Sequence, residues 1–400
     1  MQERMPKLLV YSSLFPSNVR PNAGVFIKER MFRVAQHLPI VVVSPVPWFP
    51  FQNLLRYWKP NFRPQPVSYA VMENIKIYYP RFFSIPGFLK SFDGFFMAVA
   101  SVYTLYKIKK EHKFNIIDAH FAYPDGYAAS LLGRWFNVAV TITLRGTEVP
   151  LSKMPGRKRC ILSALKHADK VFAVANALKQ HVVGLGADAE KIQVVGNGVD
   201  SDIFYALDKT QARAFFNVPL DAKVLVSVGG LVLRKGFHRV LEVLPVLLKE
   251  YPNLIYLIVG GDSPEGNIKA SLLQQVNDLG LDEHVRFLGA LPAGKLKLPL
   301  SAADAFVLAT ANEGWANVFL EAMACGLPVV TTDVGGNKEV ICNEKLGIIV
   351  PFGDSAALSK AILKTLGSHW NKQEIIGYAE SNSWDKRVQV LVEEFNGLVS

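Results

Sequence analysis

Glu313 and Glu321 stand with seven residues between them, the run Gly314-Trp315-Ala316-Asn317-Val318-Phe319-Leu320. A carboxylate accepts hydrogen bonds from hydroxyl groups, so one of the pair can reach a sugar and the other a ribose. Downstream, Gly326 suits the end of a helix and Pro328 stops its continuation, which places a helix start near Asn317. The free N–H groups and positive dipole end of such a helix make a seat for phosphate. Taken alone, the pair reads equally well as two solvated glutamates beside an amphipathic helix. His120 directly follows the apolar run Phe114–Ala119, which puts it at a strand's carboxyl end, where α/β folds collect ligands. Asp200-Ser201-Asp202 has the DxD form that can bind a metal, but it follows the turn signal Gly196-Asn197-Gly198 and reads as chance or a cap.

The elements that must position these residues alternate along the chain. Short apolar runs at Lys7–Tyr11, Ile40–Val43, Phe114–Ala119, Val138–Thr143, Lys170–Val174 and Ile192–Val195 read as strands, with helical patterns between most of them. The pattern restarts at Lys223–Val228 and continues through Leu254–Val259, Val285–Phe287, Ala305–Leu308, Val329–Thr331 and Gly347–Val350. Runs that are apolar throughout fit parallel strands covered on both faces. Two such series imply two doubly wound α/β domains facing across a cleft, with the break near Val199–Asp208. Pro45–Pro66 and Phe82–Phe96 interrupt the rhythm as proline- and aromatic-rich loops. They read as core caps or as contacts with a membrane surface.

Composition narrows the classes. The chain has 400 residues, half of them apolar and a fifth charged, which is enough for two cores and argues against general disorder. Cys160, Cys325 and Cys342 are far apart and unpaired by spacing, so neither a disulfide framework nor a zinc site is expected, and a reducing compartment fits. No GxGxxG or GxxxxGK[ST] occurs, which weighs against dehydrogenases and P-loop NTPases. The run Leu8–Tyr11 is too short for a signal core, and the interrupted stretch Phe82–Tyr106 is not expected to span a bilayer. Net charge is +13 over residues 1–205 and −3 over residues 206–400, which reads as solvated surface charge or as a first half that meets an anionic partner.

Glu313 and Glu321 with their spacing resemble the EX7E signature of retaining glycosyltransferases, and the run Glu313–Val330 resembles glycosyltransferase family 4. Asn197-Gly198-Val199-Asp200, Val228–Gly236, Leu257–Gly261, Val285–Gly289 and Ser301–Asp304 agree in order, and Pro21–Phe26 with His120 agree more loosely. The resemblance implies the GT-B fold, with an acceptor-binding domain over 1–203 completed by a return helix over 383–400, and a nucleotide-sugar-binding domain over 204–382. It implies that Glu321 holds the donor ribose and Glu313 the donor sugar. Backbone N–H groups of Gly314 to Phe319, chiefly Ala316, Asn317, Val318 and Phe319, would meet sugar and diphosphate, with Trp315 in the same loop. Lys235 would meet the diphosphate, Gly24 would admit phosphates close to backbone, and His120 would sit beside the donor sugar. Where the family often carries arginine, this chain has Gly230, and Arg234 is the candidate second cation. Arg145 and Glu148 are expected on the acceptor side or in a structural salt bridge.

The expected reaction is transfer of a sugar from a nucleoside diphosphate to a glycan or lipid-linked acceptor, with retention, in surface polysaccharide or glycolipid assembly. No cofactor, metal or nucleic acid is expected. The expected setting is the cytoplasm, with peripheral contact at the anionic inner face of the membrane. A GT-B nucleotide-sugar epimerase and a non-catalytic sugar-nucleotide-binding protein are the alternatives.

Overall fold

Leu-Leu-Val-Tyr of the first strand, β1 (Leu8–Tyr11), is buried along its whole length, because parallel neighbours and helices leave it no face for water. The computed structural model describes residues 5–58, 62–263 and 265–399. The chain divides into two compact units, Met1–Gly196 with Arg387–Ser400, and Asn197–Lys386.

In the first unit the strands are β1, β2 (Ile40–Val43), β3 (Val46–Trp48), β4 (Tyr69–Met72), β5 (Ile75–Tyr78), β6 (Arg81–Phe83), β7 (Ile116–His120), β8 (Ala139–Leu144), β9 (Lys170–Ala173) and β10 (Ile192–Val194). Eight of them form one sheet in the order β10-β9-β8-β7-β1-β2-β5-β4, parallel except for β4, and β3 pairs with β6 alone. The order reverses between β1 and β7, so their carboxyl ends open a topological switch point.

The second unit has β11 (Val224–Val228), β12 (Ile255–Val259), β13 (Val285–Gly289), β14 (Ala305–Leu308), β15 (Val329–Thr332) and β16 (Gly347–Val350). They form one parallel sheet, β13-β12-β11-β14-β15-β16, with its switch point between β11 and β14. Both units are Rossmann-like, each a largely parallel sheet of α/β connectivity.

Several boundaries differ from expectation. The hairpin β4–β5 was hidden because its two-residue turn, Glu73-Asn74, lacks glycine, although both residues take the positive φ that a tight hairpin needs. The supposed loop Pro45–Pro66 holds β3 and the short helix Gln52–Leu55, and its residues 59–61 lie outside the described residues. Phe82–Phe96 splits between β6 and the start of a 20-residue helix, Asp93–His112. The first unit ends at Gly196 rather than 203. Val199 bridges to Ser383, the Trp384 N–H donates to the Val199 carbonyl at 3.1 Å, and Val199 and Phe204 fill the second unit's core. The final helix, Trp384–Gly397, returns Val388, Leu391 and Phe395 to the first unit's core, with Phe395 edge-on to Phe172 at 5.9 Å.

Candidate active site

In the second unit, the carboxyl ends of β11 and β14 carry the residues singled out by spacing. Beyond β11 the chain makes a short turn, Leu233–Lys235, before the helix Phe237–Glu250. Beyond β14 it runs through Thr310 and Glu313 into the helix Asn317–Ala324. The Ala311 N–H donates to the Arg234 carbonyl at 2.7 Å, which locks the two loops together. Strand adjacency thus brings Arg234-Lys235 to Glu313, a pairing 78 residues apart in sequence.

Lys235 Nζ lies 2.6 Å from Glu313 Oε1, and Arg234 Nη1 lies 3.4 Å from the same oxygen. Thr310 Oγ1 donates to it at 3.2 Å. Arg234 also forks onto Glu265 through Nε at 2.7 Å and Nη2 at 2.8 Å, the two-pronged geometry a guanidinium favours. Gly230, the position where the family often has arginine, instead faces Ser263. The guanidinium beside Lys235 is therefore Arg234.

Glu321 lies one turn into the helix and is half-buried. Burial pushes its carboxyl up to about 7, opposed by the Lys235 charge. The helix has no side-chain cap at Ala316, and the Phe319 N–H turns back onto the Ala316 carbonyl at 3.1 Å, which leaves the Asn317 and Val318 N–H groups for another acceptor. Asn317 Oδ1 accepts from Asn197 Nδ2 at 2.9 Å. Ala316 and Phe319 have buried side chains, Phe319 packing on Phe306, so neither side chain is offered to a ligand. Trp315 and Val318 pack partly on the same core. Gly314 continues the loop between Glu313 and Trp315.

In the first unit, His120 closes β7 and is wholly buried. Its Nε2 lies 3.4 Å from Asp118 Oδ2 and its Nδ1 lies 3.1 Å from Arg145 Nη2. A guanidinium only donates, so Nδ1 accepts and the ring proton sits on Nε2, facing Asp118. Burial pushes the imidazole down to about 4, against the pull of Asp118, so the ring is neutral near pH 7. The Arg145 guanidinium lies 5.0 Å from the Phe26 ring centre. Phe26 stands in the first turn of the helix that follows Gly24. Gly24 has φ 65°, and a Cβ there would lie 2.2 Å from the Leu14 carbonyl oxygen. The close approach its small size permits in this structure is thus to the loop after β1.

Glu148 is buried and accepts N–H bonds from Ala122 at 3.0 Å, Arg145 at 3.2 Å and Gly146 at 2.8 Å. It organises the loop that carries Arg145. Asp125, also buried, accepts from the Ser13 N–H and hydroxyl, and burial pushes its carboxyl up to about 7. Asp200 accepts from the Asp202 N–H at 3.0 Å, so the DxD triplet closes a turn. Asp118, Asp125, Thr310 and Glu265 escaped the reading of the sequence. Asp118 and Asp125 had a signal, since an acid inside or just beyond an apolar strand must find partners. Glu265 had none, because its loop has no pattern.

Residues 208–383 match the family described as Glycosyl transferases group 1, and residues 62–203 match Glycosyltransferase Family 4. The chain belongs to glycosyltransferase family 4. It is an enzyme of the glycosyl-transferring class. A Bacillus subtilis protein named as a teichuronic acid biosynthesis glycosyltransferase, TuaC, is 29% identical over 367 residues, covering 90% of this chain and 88% of that one. Among solved structures, sucrose-phosphate synthase from Thermosynechococcus elongatus superposes with a TM-score of 0.79 at 19% identity, over 99% of both chains. Anabaena Alr3699/HepE in complex with UDP gives 0.74 at 18% identity, over 98% of this chain and 100% of that one. At such identities these two structures speak for the shared fold.

Proposed function

We propose that this glycosyltransferase moves a sugar from a nucleoside-diphosphate donor to a glycan or lipid-linked acceptor, retaining the anomeric configuration, in surface polysaccharide or glycolipid assembly. The observation that carries the reading is the convergence of Lys235, Arg234 and Glu313 beside the uncapped start of the helix Asn317–Ala324. Departure of a nucleoside diphosphate builds negative charge on the leaving phosphate and positive charge on the anomeric carbon. Lys235, Arg234 and the helix N–H groups meet the first without reorganising. Glu313 accepts from donor-sugar hydroxyls and Glu321 from the ribose. The leaving phosphate, on the sugar face it vacates, takes the acceptor's proton, so no separate base is assigned.

In this reading the first unit binds the acceptor, with Arg145 toward it and His120 behind Arg145. The positive charge of the protein serves the diphosphate in place of a divalent ion, so turnover persists in EDTA. The setting is the cytoplasmic face of a membrane. HepE's complex with UDP makes UDP-sugars the first donors to try. Melting the protein against UDP-, GDP- and ADP-sugars tests the donor site, because a ligand that binds the folded state raises its melting temperature. One donor class is expected to stand out. If none shifts the transition, the donor-site assignment is wrong. Sugar release that required no acceptor but inverted C2 would make the chain an epimerase.

A further inference from the structure

The helix Asp93–His112 carries two apolar stripes, and its own unit uses one. Gly94, Met97, Ala98, Ser101, Leu105 and Ile108 are its buried side. On the opposite side Phe92, Phe95, Val99, Val102 and Tyr106 recur at spacings of three and four, with Tyr103 beside them, so they share one face. All six are exposed, from 37% for Val102 to 67% for Tyr103. Fifteen residues of helix make this stripe roughly 20 Å long. A helix on a globular surface ordinarily turns its polar side to water.

The stripe broadens at its N-terminal end. The Phe96 ring contacts Phe83, Phe92 and Phe95 at centroid distances of 5.6, 6.4 and 6.0 Å, so these rings are contiguous. Phe88 and Leu89, just ahead of the helix, are exposed too. Phe83 pairs across the small sheet with Trp48, and the segment that follows Trp48 exposes Phe51 and Trp58 at 81% and 77%. That segment is tied to the same sheet by Arg63, which donates to the Ser84 carbonyl. Scattered exposed aromatics need no explanation, but a contiguous set marks a surface that meets something.

Charge identifies the partner. Lys107 and Lys110 lie at the C-terminal end of the stripe, each 4.4 Å from the ring centre of Tyr103 or Tyr106. No Asp or Glu occurs from Gly94 to Lys110. The bounding acids are engaged elsewhere, Asp93 with Lys90 at 2.9 Å and Glu111 with Lys76 at 3.3 Å. A second copy of the chain would bring the same lysines and no acid to answer them. An anionic leaflet answers both features, since Phe and Tyr seat at the boundary of headgroup and acyl chain while ammonium groups reach lipid phosphates.

We propose that the face running from Phe92 to Lys110 docks the protein on an anionic lipid leaflet. The biological sense of this surface rests on the lipid-linked-acceptor reading above, while its physical basis is separate from the donor site.

Sedimentation of the full chain with phosphatidylglycerol vesicles and with phosphatidylcholine vesicles tests it. Binding is expected to phosphatidylglycerol, weakening as salt rises. Lys107→Glu with Lys110→Glu is expected to lower the affinity roughly tenfold or more. Phe95→Ser with Tyr106→Ser should lower it comparably, and these exposed positions should leave the melting temperature unchanged. No binding at low salt, or undiminished binding in both double variants, overturns the proposal. So does a dimer in solution that Phe95→Ser with Tyr106→Ser converts to monomer while vesicle binding is absent. The donor-induced melting shift is read on the same variants and should be unaltered. A protein that binds vesicles but no nucleotide sugar would therefore sink the donor reading alone, and the converse would sink this surface alone.

Discussion

Lys235 and Arg234 are held before any donor arrives, one by Glu313 and the other by the Glu265 fork. Cations fixed in this way need little rearrangement when charge develops on a leaving phosphate. Lys235→Ala is expected to slow the single-turnover step by about 10²–10³-fold, as loss of one such donor does elsewhere. A change confined to donor affinity would contradict the proposed role of Lys235 at the leaving group. Glu265→Ala should raise the KM for donor several-fold with a smaller effect on kcat, because Arg234 keeps its charge and loses its orientation. Glu321 gives a pH dependence whose sign can be worked out. Its folded pKa of about 7 lies above the ordinary glutamate value of about 4.3. Its contribution to stability is therefore complete at pH values below the ordinary one and is lost as pH rises through about 7. In the proposed donor complex the ionised carboxylate is the stronger acceptor for ribose hydroxyls, so donor affinity should climb over the same interval. Glu321→Gln should flatten both trends, and titrating donor binding on either side of neutrality checks this.

The loop between β14 and the helix Asn317–Ala324 has no regular hydrogen-bond ladder, so something outside it must hold Glu313. The turn after β15 does. The Gly336 N–H donates to the Glu313 carbonyl at 3.2 Å, and Gly335 takes φ 51° directly against it. A Cβ on Gly335 would lie 1.8 Å from that carbonyl oxygen. Gly335→Ala is therefore expected to cost at least about 1–3 kcal/mol from backbone strain alone. It should also displace Glu313 and reduce kcat/KM at temperatures where the variant remains folded. Melting curves and initial rates on the same preparation would show it, and a variant with native stability and activity would refute the support role.

The first unit joins Met1–Gly196 to the distant segment Arg387–Ser400, so its stability depends on residues that follow the whole second unit in sequence. Phe395 is buried against Phe172 and shares a core with Val388 and Leu391. Phe395→Ala should cost about 3–5 kcal/mol, the usual range for emptying a buried aromatic site. The loss should fall on the first unit. Hydrogen exchange is expected to quicken across β7, β8 and β9 while β11, β12 and β14 keep their protection. Uniform quickening in both units would show that the final helix is not a component of one core.

Much of the fold was legible because parallel strands buried on both faces are apolar without alternation, as β1, β12 and β14 are. β4 and β5 did not stand out, because their glycine-free turn hid the hairpin. The 20-residue helix Asp93–His112 was obscured because aromatic residues on its exposed face mask the amphipathic period. The spacing of Glu313 and Glu321 and the helix start at Asn317 were also readable, since capping and termination are local. What the sequence by itself determined was the set of elements, the carboxylate pair and the adjacent cations Arg234-Lys235. Only the tertiary structure decided that these cations meet Glu313, that Glu265 orients Arg234, and that Asp118 and Arg145 enclose His120. The reason is physical: each of these contacts is made across neighbouring strands or loops, and strand order in a sheet is set by long-range packing that no local pattern records.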